Sequence, residues 1–139
     1  MKGLANLIRI HEWALDEKRR KVSDLESLAE RLRNELSQIE MEIKSEQSVA
    51  STNPSVSSAY GAYAAAAISR REKLRQSLLA LEGEIVLAVE QVAAAFREFK
   101  KLDLIRERDR NAEDERRKRV QGAELDEAGL QLFRRARLD

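Results

Sequence analysis

Apolar residues recur along the first half of the chain in alternating steps of three and four. The stripe runs through Leu4, Ile8, His11, Leu15, Lys18, Val22, Leu25, Ala29, Leu32, Leu36, Ile39 and Ile43. Ten of these twelve positions are apolar, so one stripe keeps facing a partner helix for more than five heptads. A helix from Leu4 to Ser48 would be about 67 Å long at about 1.5 Å per residue. A compact domain of 139 residues has no room for it.

The second half repeats the pattern. Its stripe is Ala64, Ala67, Arg71, Leu74, Leu78, Leu81, Ile85, Ala88, Val92, Ala95, Phe99 and Leu102, and Ile68, Val89, Phe96 and Ile105 are expected to widen it. The small residues Ala64, Ala67, Ala88 and Ala95 would let a partner helix come close. Folding the chain about Asn53 would place Phe96 and Phe99 opposite Leu4, Leu7, Ile8 and Trp13, with the register fixed to about one heptad.

Between the stripes, the 19 residues from Ser51 to Ser69 carry no charge. The pattern therefore predicts an all-α fold: a long antiparallel two-helix coiled-coil hairpin with a longer second helix. Helix 1 is expected at about 3–49, the turn at about 50–54 and helix 2 at about 55–136, forming a single rod over 1–139. Asn53 can cap a helix whose first position is Pro54, where a missing amide costs nothing. Ser58 is the competing cap. Gly61 and the serines weaken the first turns, whereas Ala62 and Ala64 to Ala67 favour helix. Tyr60 and Tyr63 add amphipathic surface at this tip, of the kind that anchors interfaces.

Composition narrows the classes. Glycine is scarce, there is one proline, and aromatic residues make up 4% of the chain against 37% charged residues. That supplies a narrow seam rather than a broad core. The absence of cysteine excludes disulfides and thiolate metal sites. No signal peptide or membrane-spanning run is evident, so a cytoplasmic location is expected.

Beyond Leu102 the chain changes character. From Arg106 to Arg119, twelve of fourteen residues are charged, seven basic and five acidic, and the stripe continues only through Val120, Ala123 and Leu130. Glu113 with Arg117 and Glu115 with Arg119 have the spacing of stabilising helix pairs, about 0.2–0.5 kcal/mol each. Two readings are open: a solvated helix supported by its own ion pairs, or a charged docking surface. Folding near residue 53 brings Leu4 back to about Leu102 and leaves the remainder overhanging. Leu125, Leu130, Leu132 and Phe133 are too apolar for a purely solvated tail, which points to a partner or a second copy.

Catalytic chemistry finds little support. His11 is the only histidine, and it lies on the stripe, the position of a packed or pairing-specific residue, without metal-binding company. Glu40 with Glu42 and Asp126 with Glu127 have no pocket around them. Phosphate-cradling glycine loops and nucleophile–base arrangements are missing from the sequence, so no enzymatic activity and no cofactor is expected. The basic clusters Arg70-Arg71-x-Lys73-x-Arg75 and Arg116 to Arg119 raise RNA binding. Yet 26 basic against 25 acidic residues leave a net charge of +1, and no nucleic acid partner is expected. Membrane-surface binding is disfavoured because the apolar stripe is needed for helix pairing.

The arrangement resembles the FliJ family, the stalk protein of the bacterial flagellar type III export apparatus. The resemblance covers nearly all of the chain. It rests on Leu4-x-x-Leu7-Ile8-x-x-His11, the run Asp16-Glu17-Lys18-Arg19-Arg20, Tyr60-x-x-Tyr63 after the turn, the charged second helix and Leu125-Asp126-Glu127. It implies an antiparallel coiled coil similar to the rotor stalk of rotary ATPases, located in the cytoplasm and peripherally associated with the inner-membrane export apparatus. The implied partners are the hexameric export ATPase, the cytoplasmic part of the export-gate membrane protein and export chaperones. By resemblance the gate-binding face would include Tyr63, Ala67, Arg70 and Leu74. Leu4, Ile8, Arg9, Arg116, Arg117, Arg119, Asp126 and Glu127 would lie near the ATPase contact. The alternatives are an injectisome type III secretion stalk, a generic coiled-coil scaffold with self-association, and an RNA-binding arm.

Overall fold

A computed structural model describes residues 2–52 and 57–138. All of them are helical: α1 spans Lys2–Thr52 and α2 spans Ser57–Leu138. The two long helices pack against each other as an all-α helical hairpin, and α2 is the longer by 31 residues, 82 against 51. Their packing groups into two compact units, Trp13–Phe96 and Met1–Glu12 with Arg97–Asp139, and both helices contribute to each.

The heptad reading accounts for what is buried. All twenty-four stripe positions are buried or half-buried, and the most enclosed are Ile8, Leu15, Ala29, Ile39, Leu81 and Ala88. Each fully packed Leu or Ile contributes about 1.5–3 kcal/mol. Ala29 and Ala88, at 0% and 3% exposure, are covered as completely as Ile8 at 1%. Such enclosure of a methyl group requires the neighbouring helix to come close at that level.

Four expectations about the seam fail in the same way. Ile68, Val89, Phe96 and Ile105 do not widen it; all four are exposed. Trp13 (67% exposed) and Leu7 also face outward rather than filling the seam. A two-helix coil has one narrow line of contact, and residues flanking it have no third helix to cover them.

Within the Trp13–Phe96 unit the helices run antiparallel. Arg33 pairs with Glu82 at 3.6 Å and Arg75 with Glu40 at 3.0 Å, residue numbers adding to 115 in both cases. Ala29 shares a groove with Ile85, and Ile43 shares one with Arg71, each adding to 114. Folding about Asn53 would have made them add to 106. The register therefore lies about one heptad later than the sequence suggested.

The reason begins at the end of α1. This helix runs to Thr52, three residues beyond Val49, so residues 50–52 of the expected turn are helical. Hydroxyls help to close its last turn. Ser51 Oγ donates to the Ser48 carbonyl at 2.8 Å, and Thr52 Oγ1 lies 3.0 Å from the Val49 carbonyl and 3.2 Å from that of Ser48. These are local side-chain bonds back to carbonyls three and four residues earlier, as Ser and Thr make within helices. The expected cap at Asn53 and first position at Pro54 lie outside the described residues. α2 continues to Leu138, two residues past its expected end.

In the unit formed by Met1–Glu12 with Arg97–Asp139, packing is short. Ile8 is buried, and Leu4, His11, Phe99, Leu102, Asp103 and Arg106 are half-buried. From Glu107 to Leu138 every residue is exposed except Gly122, which is half-buried. At about 1.5 Å per residue, 32 residues amount to about 48 Å of helix without a covering neighbour among the described residues.

Candidate functional site

The exposed part of α2 is built from blocks of alternating charge. Glu113-Asp114-Glu115 precedes Arg116-Arg117-Lys118-Arg119, then come Glu124, Asp126 and Glu127, and finally Arg134, Arg135 and Arg137. Ion pairs one turn apart hold the helix: Arg116 donates to Glu113 at 2.8 Å, and Arg117 lies 3.5 Å from Asp114. The hydrogen bond from Arg116, and then its charge, keep the Glu113 carboxyl below its ordinary pKa, and Arg117 adds to the effect. Both pairs are solvent-exposed, where such contacts contribute little to stability. These side chains can re-pair at little cost.

Apolar groups stand among the charges. Val120, Leu125, Leu130, Leu132 and Phe133 are between 51% and 72% exposed. Arg116, Arg117, Val120 and Gln121 line a shallow depression on this face. Arg137 sits 5.7 Å over the Phe133 ring, a cation–π contact on the last turns. A surface of separated cations, anions and uncovered apolar side chains suits a charged, helical or convex partner.

Asp103 and Arg106 mark where coverage ends. Arg106 donates to Asp103 at 2.6 Å, and Lys100 approaches the same carboxylate at 3.6 Å. The Arg106 bond is the main reason the Asp103 carboxyl is held below the usual carboxylate range, with further help from the Arg106 and Lys100 charges. Glu98 is lowered chiefly by its hydrogen bond from Lys101 at 3.0 Å and by that cation's charge, with a smaller influence from His11. His11 is half-buried in the seam, as its stripe position implied.

The residues tied to the ATPase contact by resemblance divide by burial. Arg9, Arg116, Arg117, Arg119, Asp126 and Glu127 are exposed. Leu4 is half-buried and Ile8 is 1% exposed. Ile8 can serve a partner only by fixing the segment that carries Arg9.

The tip candidates lie in the other unit. Tyr63, Ala67 and Arg70 line one shallow groove with Ala66, Ile39 and Glu42. Leu74 is half-buried in the seam and is not part of that groove. Partial desolvation raises the Tyr63 phenol pKa, and Glu42 and Glu46 raise it further. The phenol therefore stays neutral, with a hydroxyl to offer a partner.

Further apolar surface was missed in the sequence. On the same unit Leu79, Val86 and Val89 are exposed and fall three or seven residues apart, as does Phe96. Their signal was the three-and-four spacing itself, offset from the main stripe. It was legible only at Val89 and Phe96, which were assigned to the seam.

No group of three or more His, Cys, Asp or Glu that could hold a metal ion occurs among the described residues. Among them, no helix is long and apolar enough to cross a membrane. No protein-family model, curated protein or solved structure matches the chain.

Proposed function

We propose that the chain is the cytoplasmic coiled-coil stalk of a flagellar type III protein export apparatus, a component of motility machinery that couples the export ATPase ring to the export gate. The observation that carries this reading is the uncovered stretch of α2 beyond Arg106, charged, helical and exposed, following a seam that is already filled. A helix that has no covering neighbour among the described residues over about 48 Å is suited to enter a ring or a cleft. The residue-level resemblance to the FliJ family supplies the identity of that ring.

In this reading the stalk hydrolyses nothing. Arg116, Arg117 and Arg119, with Asp126 and Glu127, meet the hexameric ATPase. The groove at Tyr63, Ala67 and Arg70 meets the cytoplasmic part of the gate protein. Nucleotide-driven asymmetry in the ring is then passed to the gate through helices that do not need to change fold. Assistance in cycling export chaperones belongs to the same proposal.

The test is binding and turnover with the matching purified export ATPase, comparing the full chain with one ending at Leu104. Binding and stimulation by the full chain, lost on truncation, support the stalk. Absence of binding by both forms refutes it. Stimulation restricted to an injectisome ATPase would assign the stalk to that secretion system instead.

A further inference from the structure

The three-and-four spacing of the α2 seam does not stop where coverage stops. Its steps lead from Leu102 through Arg106, Asp109, Glu113, Arg116, Val120, Ala123, Glu127, Leu130 and Arg134 to Arg137, three of these ten later positions being apolar and seven charged. Beyond Arg106 this face is exposed, and Val120 and Leu130 are 52% and 51% uncovered. Apolar residues at seam spacing among charged ones on an uncovered face suit a second helix of matching charge.

The charge pattern says which helix. Reflected about a point between Gln121 and Gly122, Arg116, Arg117 and Arg119 map onto Glu127, Asp126 and Glu124, while Lys118 maps onto Leu125. We infer that the stretch of α2 from about Asp109 to Arg134 pairs antiparallel with the same stretch of a second copy of this chain, about a two-fold axis at Gln121–Gly122. The inference does not rest on the export reading.

This register matches three of its five seam layers, the exceptions being Glu113 against Leu130 and the outermost Arg106 against Arg137. Val120 meets Ala123 of the other copy at the centre, flanked by Arg116 against Glu127 and, farther out, Asp109 against Arg134. Beside the seam, Arg117 faces Glu124 and Arg119 faces Asp126, while Ala112 faces Phe133, which is 61% exposed in the single chain. Two-fold symmetry makes every one of these contacts twice.

Competing arrangements bring like charges together. Sliding one heptad in either direction sets Asp109 against Glu127 or Arg116 against Arg134. A parallel, in-register pair sets every charge against itself. The chosen register has one like pair on the seam, Arg106 with Arg137 at its ends, and Asp103 already engages Arg106 at 2.6 Å. An unrelated partner would not require the chain to be complementary to itself.

With few apolar layers and many ion pairs, the dimer is weak and salt-sensitive. Sedimentation equilibrium of the full chain in low and high salt tests it. The natural chain is expected to form a dimer in low salt that dissociates as salt rises. Arg117→Glu with Arg119→Glu, or Glu124→Arg with Asp126→Arg, should each weaken self-association about tenfold or more, since attraction becomes repulsion at four contacts.

The decisive sample is the equal mixture of the two variants, in which one copy is acidic and the other basic across this surface. It should associate at least as well as the natural chain. All four substitutions sit on exposed helix positions, and circular dichroism confirms that helix content is retained. A natural chain that stays monomeric in low salt overturns the inference. So does a dimer indifferent to the reversals, or a mixture that associates no better than its components.

Discussion

Ile8 is the most enclosed large side chain among the described residues, at 1% exposure, and it sits in the short packed part of its unit. Replacing it with alanine removes three carbons. At about 0.8 kcal/mol per buried methylene the transfer loss is about 2.4 kcal/mol. A rigid cavity would raise the cost toward the upper end of the usual range of about 2–5 kcal/mol. This seam is open along both flanks, so neighbours and water can close in, and the expected loss is about 2–3 kcal/mol. Ile10→Ala is the control, because Ile10 is 62% exposed and should cost about 0.5 kcal/mol or less. Urea unfolding followed by circular dichroism gives the difference. Amide exchange gives the location: protection should fall first in Lys2–Glu12 and in residues 97–106, before it falls in Trp13–Phe96. The burial argument is refuted if the two variants agree within about 0.5 kcal/mol, or if protection is lost equally throughout.

Three further outcomes follow from the same packing. Ala88→Leu should cost about 1–3 kcal/mol by overfilling a position that is 3% exposed, whereas Leu87→Ala next to it, 60% exposed, should be nearly silent in a thermal melt. A double-mutant cycle on Arg75 and Glu40, whose side chains remain 46% and 43% exposed, should give a coupling of about 0.2–1 kcal/mol that shrinks as salt is added. Because the folded-state pKa of Asp103 lies below its unfolded value, its contribution is complete above the unfolded pKa of about 3.9. That contribution is lost as pH falls through the folded value. Asp103→Asn should therefore flatten the acid limb of the urea midpoint against pH and lower the midpoint near neutrality.

The seam was legible because its signal is repeated every seven residues, so a single His11, Lys18 or Arg71 could not hide it. Even these three polar stripe positions are half-buried. What the pattern could not carry was the width of the seam. Val89 and Phe96 belong to a second line of spacing, and hydrophobicity alone does not say whether a third helix is present to cover it. Register was lost for a related reason. It depends on where α1 ends, and Ser51 and Thr52, ordinary turn formers in sequence, are still helical, their hydroxyls bonded back to Ser48 and Val49. Of the candidate surfaces, exposure of the Arg116–Arg119 cluster followed from its charge. The burial of Ile8 and the withdrawal of Leu74 into the seam could have been read from their stripe positions, where packing within the chain takes precedence.

One heptad register therefore carries two kinds of chemistry along α2. Up to Leu102 its layers are mostly apolar, and each Leu or Ile contributes about 1.5–3 kcal/mol once covered, enough in sum for a lasting contact with α1. Beyond Arg106 the same positions are mostly charged, with each exposed ion pair worth about 0–1 kcal/mol, enough only for contacts that form and release. A permanent extension of the hairpin would have been better served by leucine at Asp109, Glu113 and Arg116. Charge at those positions gives a surface that remains soluble when empty and discriminates by sign when filled. Arg116, Arg117, Arg119, Asp126 and Glu127 serve both proposed uses, the ATPase ring and the second copy. A single helix face cannot satisfy both at once, so the copy paired with itself is a copy withheld from the ring.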